Sequence, residues 1–174
     1  MKSMLAGLSA CTLFAVSLMV SAPSMAQGLP DPVGPVILTV DGAIAVTNAD
    51  DEARFDKAML QALDETVLKT KSPWIDGEAS TFIGTKISAI LTAVGARKAT
   101  LSLTALDGYA VDIPYSDIED MDPILSWERN GTPLTVRDRG PLWVTYPIDK
   151  IPADEAAKYS ARWIWQVARI SVQE

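Results

Sequence analysis

The sequence predicts an α+β domain with a mostly antiparallel sheet, and three observations carry that prediction. Strand-length apolar runs outnumber segments with helical periodicity. Asp41-Gly42, Asp107-Gly108 and Asn130-Gly131 each stand between two such runs, and no repeat or heptad pattern extends any helix. Dipeptides of this kind accept the positive φ of tight hairpin turns, so neighbouring runs are expected to pair antiparallel.

At the N-terminus, Lys2 precedes a mostly apolar run from Met4 to Val20, and Ser21 to Ala26 supplies the small residues a signal peptidase needs. Residues 1–26 are therefore expected to be a cleaved signal peptide, so the mature protein is expected to be exported. An uncleaved anchor and a lipoprotein box at Leu8-Ser9-Ala10-Cys11 are the alternatives. Residues 27–35 are rich in proline and glycine and read as an extended arm, and residues 36–174 as one domain.

Val36–Val40 and Ala43–Thr47 flank Asp41-Gly42 as a hairpin. Asn48 to Asp51 offers helix caps, with Phe55, Met59, Leu60 and Leu63 on one helical face. Val67–Thr70 is a strand cut off by Ser72-Pro73, and Trp74 to Phe82 reads as a loop. A second helix is expected over Thr85–Val94, stopped by Gly95. Thr100–Ala105 and Tyr109–Ile113 form a hairpin across Asp107-Gly108, followed by a helical turn at Ser116–Met121. A strand from Ile124 turns at Asn130-Gly131, passes the charged stretch Arg137-Asp138-Arg139, and returns at Trp143–Tyr146. A short helix at Asp154–Lys158 and a strand from Trp163 to Val172 complete the chain.

Charge and residue inventory exclude much chemistry. With 22 acidic against 15 basic residues the net charge is −7, and −8 once Lys2 leaves, which argues against nucleic acid and anionic lipid as partners. The chain has no histidine and one cysteine, Cys11, inside the predicted leader. Histidine-based triads, zinc and haem sites, disulfides and cysteine nucleophiles are thereby removed from the mature protein. No glycine-rich phosphate loop is present, and no carboxylate spacing singles out an acid/base pair.

What remains is an unusual density of indoles beside arginines: Trp74, Trp127, Trp143, Trp163 and Trp165, with Arg137, Arg139 and Arg162. Tryptophans of this kind either pack a core or stack on a flat ring or a cation. Trp163 and Trp165, two apart on the expected last strand, share a face. The stretch from Trp127 to Trp143 is accordingly either a solvated charged turn or a pocket for a flat, polar, aromatic ligand.

Several motifs occur in an order that resembles the molybdopterin-binding domain of sulfite oxidases. They are Thr39-Val40-Asp41-Gly42; Leu106-Asp107-Gly108-Tyr109 with Ile113-Pro114 and Asp117; Trp127-Glu128-Arg129-Asn130-Gly131 with Pro133-Leu134; and Arg137-Asp138-Arg139-Gly140-Pro141-Leu142. The likeness spans residues 36–172. It is closer to the small periplasmic molybdopterin-binding-like proteins through Ser72-Pro73-Trp74, Gly140–Val144 with Tyr146-Pro147, and Trp165-Gln166. The resemblance implies a sulfite-oxidase-type fold. It also implies departures from the enzymes: Thr70-Lys71-Ser72 stands where they carry the cysteine thiolate on molybdenum, Arg139 at a histidine, Trp143 at an arginine, and Trp165 close to a lysine.

Indoles in place of cations point to a flat ligand with less negative charge, a tetrahydropterin type rather than a molybdenum cofactor. Relatives of the small periplasmic group are implicated as pterin receptors acting on membrane proteins that make or degrade cyclic di-GMP. The resemblance therefore implies a non-catalytic periplasmic pterin-binding protein that relays occupancy to a membrane diguanylate cyclase or phosphodiesterase. The alternatives are a molybdopterin-dependent oxidoreductase without a cysteine ligand and an adaptor with a vestigial pocket. The expected pocket places the ring among Trp74, Trp127, Trp163 and Trp165. Glu128 or Asp138 meets the amino-pyrimidine edge, Arg139 or Arg162 the carbonyl, and Thr70 and Ser72 the pyrazine side.

Overall fold

A computed structural model describes residues 28–152 and 154–174, so the expected signal peptide lies outside the described residues. Among the described residues the architecture is α+β, with two five-stranded sheets and four short α-helices. The first sheet runs in the order β2 (Ala53–Phe55), β1 (Leu38–Gly42), β10 (Val167–Val172), β5 (Leu101–Ala105), β6 (Ala110–Ile113). The β1–β10 pair is parallel and the others in this sheet are antiparallel. The second sheet places β3 (Glu65–Ser72) beside β4 (Ile75–Lys86) and β4 beside β7 (Ile124–Arg129). β8 (Thr132–Pro133) and β9 (Trp143–Thr145) pair with successive parts of β7.

Two expected hairpins form and one does not. β5 and β6 turn at Asp107-Gly108, and β7 and β8 at Asn130-Gly131. After Asp41-Gly42, by contrast, the chain does not fold back on itself. Ala43 N–H donates to Val172 O (2.9 Å), extending the contact with β10, and Ala45 and Val46 donate to Val94 O at the end of α2 (Ile87–Ala93). Gly42 has φ +84°, and a Cβ there would lie 2.1 Å from Val172 O, so the glycine serves close strand approach.

The first helix also differs from expectation. α1 covers Lys57–Leu63 with Asp56, not Asn48, as its N-cap, and Phe55 belongs to β2. Asn48 instead clamps its own loop, accepting from Arg54 N–H (2.7 Å) and donating to Pro30 O (2.7 Å). Asp56 accepts Met59 N–H through one oxygen and the Val33 and Gly34 N–H groups through the other, so one carboxylate caps the helix and ties down the arm. α2 starts two residues later than expected, because Thr85 remains in β4 and its hydroxyl donates to Leu60 O at 2.6 Å. That bond satisfies a carbonyl in the last turn of α1.

The largest correction concerns Trp74 to Phe82, which is not a loop. From Ile75 onward it is the first two thirds of the twelve-residue β4, a hairpin partner of β3. Its polar, glycine-containing sequence lacks an apolar alternation because this end is exposed at Gly77 and Glu78, while Ser80 and Phe82 turn inward. The last strand likewise begins at Val167, since Gln166 has φ +55°, so Trp163 and Trp165 precede it.

The core lies where the two sheets meet. Val144 N–H donates to Ile164 O and Val167 N–H to Leu142 O, which stitches β9 to the segment entering β10. Phe82, Trp143 and Trp163 pack edge to face around this seam, at 5.7 to 6.5 Å between ring centroids. α3 (Tyr115–Asp120) buries Asp117, whose carboxylate accepts from Tyr146 Oη (3.0 Å) and from Arg162 of the loop after α4 (Ala156–Ser160) at 2.7 Å. Burial, followed by the Asp117 charge, pushes the Tyr146 phenol well above its ordinary range.

Candidate functional site

The β7–β8 turn and the segment after it build one wall of a cleft. Asn130 and Gly131 have φ +51° and +77°, the pair of positive angles that a tight two-residue hairpin turn requires. The side chain of Asn130 accepts Thr81 N–H (2.8 Å) and its own N–H donates to Thr81 O (2.8 Å), so the turn is fixed to β4. Beyond β8, Leu134 N–H donates to Trp127 O (2.8 Å), and the chain closes a 3-10 turn at Val136–Asp138. Thr135 donates its hydroxyl to the Asp138 carboxylate (2.6 Å) and accepts Gly140 N–H at its carbonyl (2.7 Å). A Cβ on Gly140 would meet Leu134 O at 2.4 Å, so this closure depends on glycine.

Arg139 is the hub of that wall. Its backbone is left-handed, at φ +68°, and its carbonyl accepts Gln166 N–H (3.0 Å). The guanidinium lies 4.8 Å from the ring centroid of Trp165 and 5.8 Å from that of Trp143, and donates to Trp74 O at 3.3 Å. Trp74, in the β3–β4 turn, meets Trp165 edge to face at 5.7 Å. Three indoles and a guanidinium from three separated segments therefore share one small volume.

Two clefts flank this group, and Trp74 lines both. The first, of about 570 Å³, is lined among others by Trp74, Trp143, Arg129, Arg137, Asp138 and Arg139. Three arginines face one aspartate there, on a protein of net charge −7. This positive lining differs from the expectation that indoles had displaced the cations, because Arg129 and Arg137, which lie within the matched motifs but were not expected in the pocket, also line the cleft. The second cleft, of about 310 Å³, is lined by Trp163, Trp165, Tyr109 and Asp107 together with Trp74.

The ten residues expected in the pocket thus divide. Trp74, Asp138 and Arg139 line the first cleft, and Trp74, Trp163 and Trp165 the second. Trp127 is buried in the core on β7, and Glu128 points to the other face of that strand; neither lines a cleft. Arg162 is engaged by Asp117. Thr70 is fully buried, and its hydroxyl accepts Ile148 N–H (3.1 Å) and donates to Lys71 O (3.3 Å). Ser72 accepts Trp74 N–H (3.2 Å) and so shapes the turn that presents Trp74.

These placements bear on a molybdenum cofactor. In the stretch Thr70-Lys71-Ser72, which the resemblance sets against the thiolate of the enzymes, the Thr70 hydroxyl is already bonded on both sides, and the described residues contain neither cysteine nor histidine. No group of three potential metal-ligating side chains occurs among the described residues. Protein ligation of molybdenum at Thr70–Ser72 does not fit this donor set.

No family model matches the sequence, and no curated protein does. Among solved structures, the sulfane dehydrogenase SoxCD from Paracoccus pantotrophus is similar over 78% of this chain, with a TM-score of 0.55 and 15% identity. This chain spans 37% of the length of that one. At such identity the likeness concerns the fold: an α+β, sulfite-oxidase-type molybdopterin-binding domain fold.

Proposed function

We propose that this protein is a periplasmic, non-catalytic pterin-binding protein whose first cleft holds the ring against the exposed indole of Trp74, beside Arg139. The observation that carries the proposal is the stacking of Arg139 on two indoles beside an open cleft that also presents Asp138. A pterin has a flat π-face for the indoles, a carbonyl for a guanidinium and an amino-pyrimidine edge for a carboxylate. One Asp138 oxygen is held by Thr135, and the other is left for that edge. Thr70, buried and bonded on both sides, leaves no hydroxyl at the stretch set against the thiolate of the enzymes to ligate a metal, which supports a reading of binding without chemistry.

A specific observation favours a second reading. Three arginines around the cleft suit a ligand with negative charge, so a molybdopterin held by its pterin and phosphate alone, without a protein ligand to the metal, is the alternative. Anaerobic calorimetry with tetrahydrobiopterin tests the first reading: one saturable site per chain is expected. Absence of saturable heat, together with stoichiometric molybdenum in protein isolated from its native cells, would favour the alternative.

The relay belongs to the same proposal. A binding protein acts on a cell only through a partner whose affinity differs between its free and loaded forms. The partner proposed is the periplasmic domain of a membrane diguanylate cyclase or phosphodiesterase. Capture of that domain should change at least fivefold on adding tetrahydrobiopterin, and equal capture with and without it would contradict the relay.

A further inference from the structure

We infer that the second cleft, between Trp74, Trp163, Trp165, Tyr109 and Asp107, is a separate binding site for a compact organic cation of the quaternary-ammonium class. The inference stands independently of pterin binding in the first cleft. The rings of Trp74 and Trp165 meet at 84° with centroids 5.7 Å apart, which makes the corner of an aromatic box. Trp163, buried to 2% exposure, also lines the cleft, and Tyr109 adds a further ring from the β5–β6 turn. Trp74 and Tyr109 are 47% and 59% exposed, an arrangement that leaves large aromatic surface in water unless something covers it. Ring faces carry negative potential, and boxes of this composition favour a cation too weakly hydrated to need hydrogen bonds.

The carboxylate completes the argument. One oxygen of Asp107 accepts Tyr109 N–H (3.0 Å), which orients the side chain at the turn; its other oxygen has no partner among the described residues. At about 310 Å³ the cleft lies at the small end of ligand sites, which suits a choline-sized occupant. The Arg139 guanidinium already lies over Trp165, so an incoming cation is drawn by Trp74, Tyr109 and Asp107 against that charge. Arg139 therefore acts with opposite sign on the two clefts: it favours a pterin in the first and opposes a cation in the second.

The test is titration of the mature protein with choline chloride and with 3,3-dimethylbutanol, its uncharged carbon isostere, read by tryptophan fluorescence and calorimetry without pterin. Choline is expected to bind saturably and at least tenfold more tightly than the isostere. Asp107→Asn, which keeps the acceptor of the turn, and Tyr109→Ala are each expected to weaken choline about fivefold. Both should leave tetrahydrobiopterin affinity unchanged, while Arg139→Gln should tighten choline. Equal affinity for choline and its isostere would overturn the inference and leave an apolar docking patch. Saturable choline binding insensitive to both Asp107→Asn and Tyr109→Ala would overturn the assignment to this cleft, and so would no saturable binding at all.

Discussion

Replacing Arg139 by alanine and, separately, by glycine divides its contribution to the cleft from its contribution to the fold. Both substitutions remove the guanidinium from the rings at 4.8 and 5.8 Å and from Trp74 O. Two cation–π contacts at partly exposed positions contribute about 1 to 2 kcal/mol together, and a bond of 3.3 Å adds little. Alanine keeps the left-handed backbone at φ +68° and its steric cost, whereas glycine relieves it. Set against the larger unfolded-state freedom of glycine, the Gly variant should be about 1 kcal/mol more stable than the Ala variant. Urea denaturation reads that difference. Calorimetry with tetrahydrobiopterin should show both variants weakened by about tenfold or more, because the lost contact with the ring is the same. Native affinity in the two variants would refute the place of Arg139 in the site, and equal stabilities would refute the reasoning from its backbone.

Further outcomes follow from the packing. Arg162→Met leaves the Asp117 carboxylate buried with Tyr146 alone and should cost roughly 3 kcal/mol in chemical denaturation, against about 1 kcal/mol for Tyr146→Phe. The backbone N–H groups of Gly34 and Met59 hold the Asp56 carboxyl below the usual aspartate range. Its contribution is therefore fully present above about pH 4 and lost as pH falls through the lower folded value, so Asp56→Asn should flatten the acid limb of stability measured from pH 6 to pH 2.5. Gly140→Ala forces a Cβ against the Leu134 backbone and should destabilise by about 2 kcal/mol or more, with tetrahydrobiopterin binding reduced as the 135–140 loop shifts.

The sequence was most legible where a local signal decides the outcome alone. Asp107-Gly108 and Asn130-Gly131 make turns because positive φ there is settled within two residues. Asp41-Gly42 carries the same signal, yet the chain continues along β10, whose carbonyl at Val172 competes for Ala43 N–H from 129 residues away. β4 was illegible because it begins at an exposed end around Gly77 and Glu78, and its buried positions Ser80 and Phe82 are too few and too mixed in polarity to show as an apolar alternation. Within the site, the arginine and indole cluster was visible as composition, but its division into two clefts was not. That division depends on Trp74, carried by a hairpin whose second strand the sequence hides, and on Tyr109 and Asp107 from the other sheet. Thr70 shows the reverse case: its motif position suggests a ligand contact, while Ile148, far along the chain, takes its hydroxyl.

The first cleft is proposed to hold a pterin and no protein-ligated metal. This is tested most directly by purifying the protein from the cells that make it, without added ligand, and analysing the same sample for metal and for pterin by oxidation and fluorescence. The account predicts up to one pterin per chain, lost on Arg139→Gly, with molybdenum far below stoichiometric. Stoichiometric molybdenum would contradict it, as would a pterin content unchanged by Arg139→Gly.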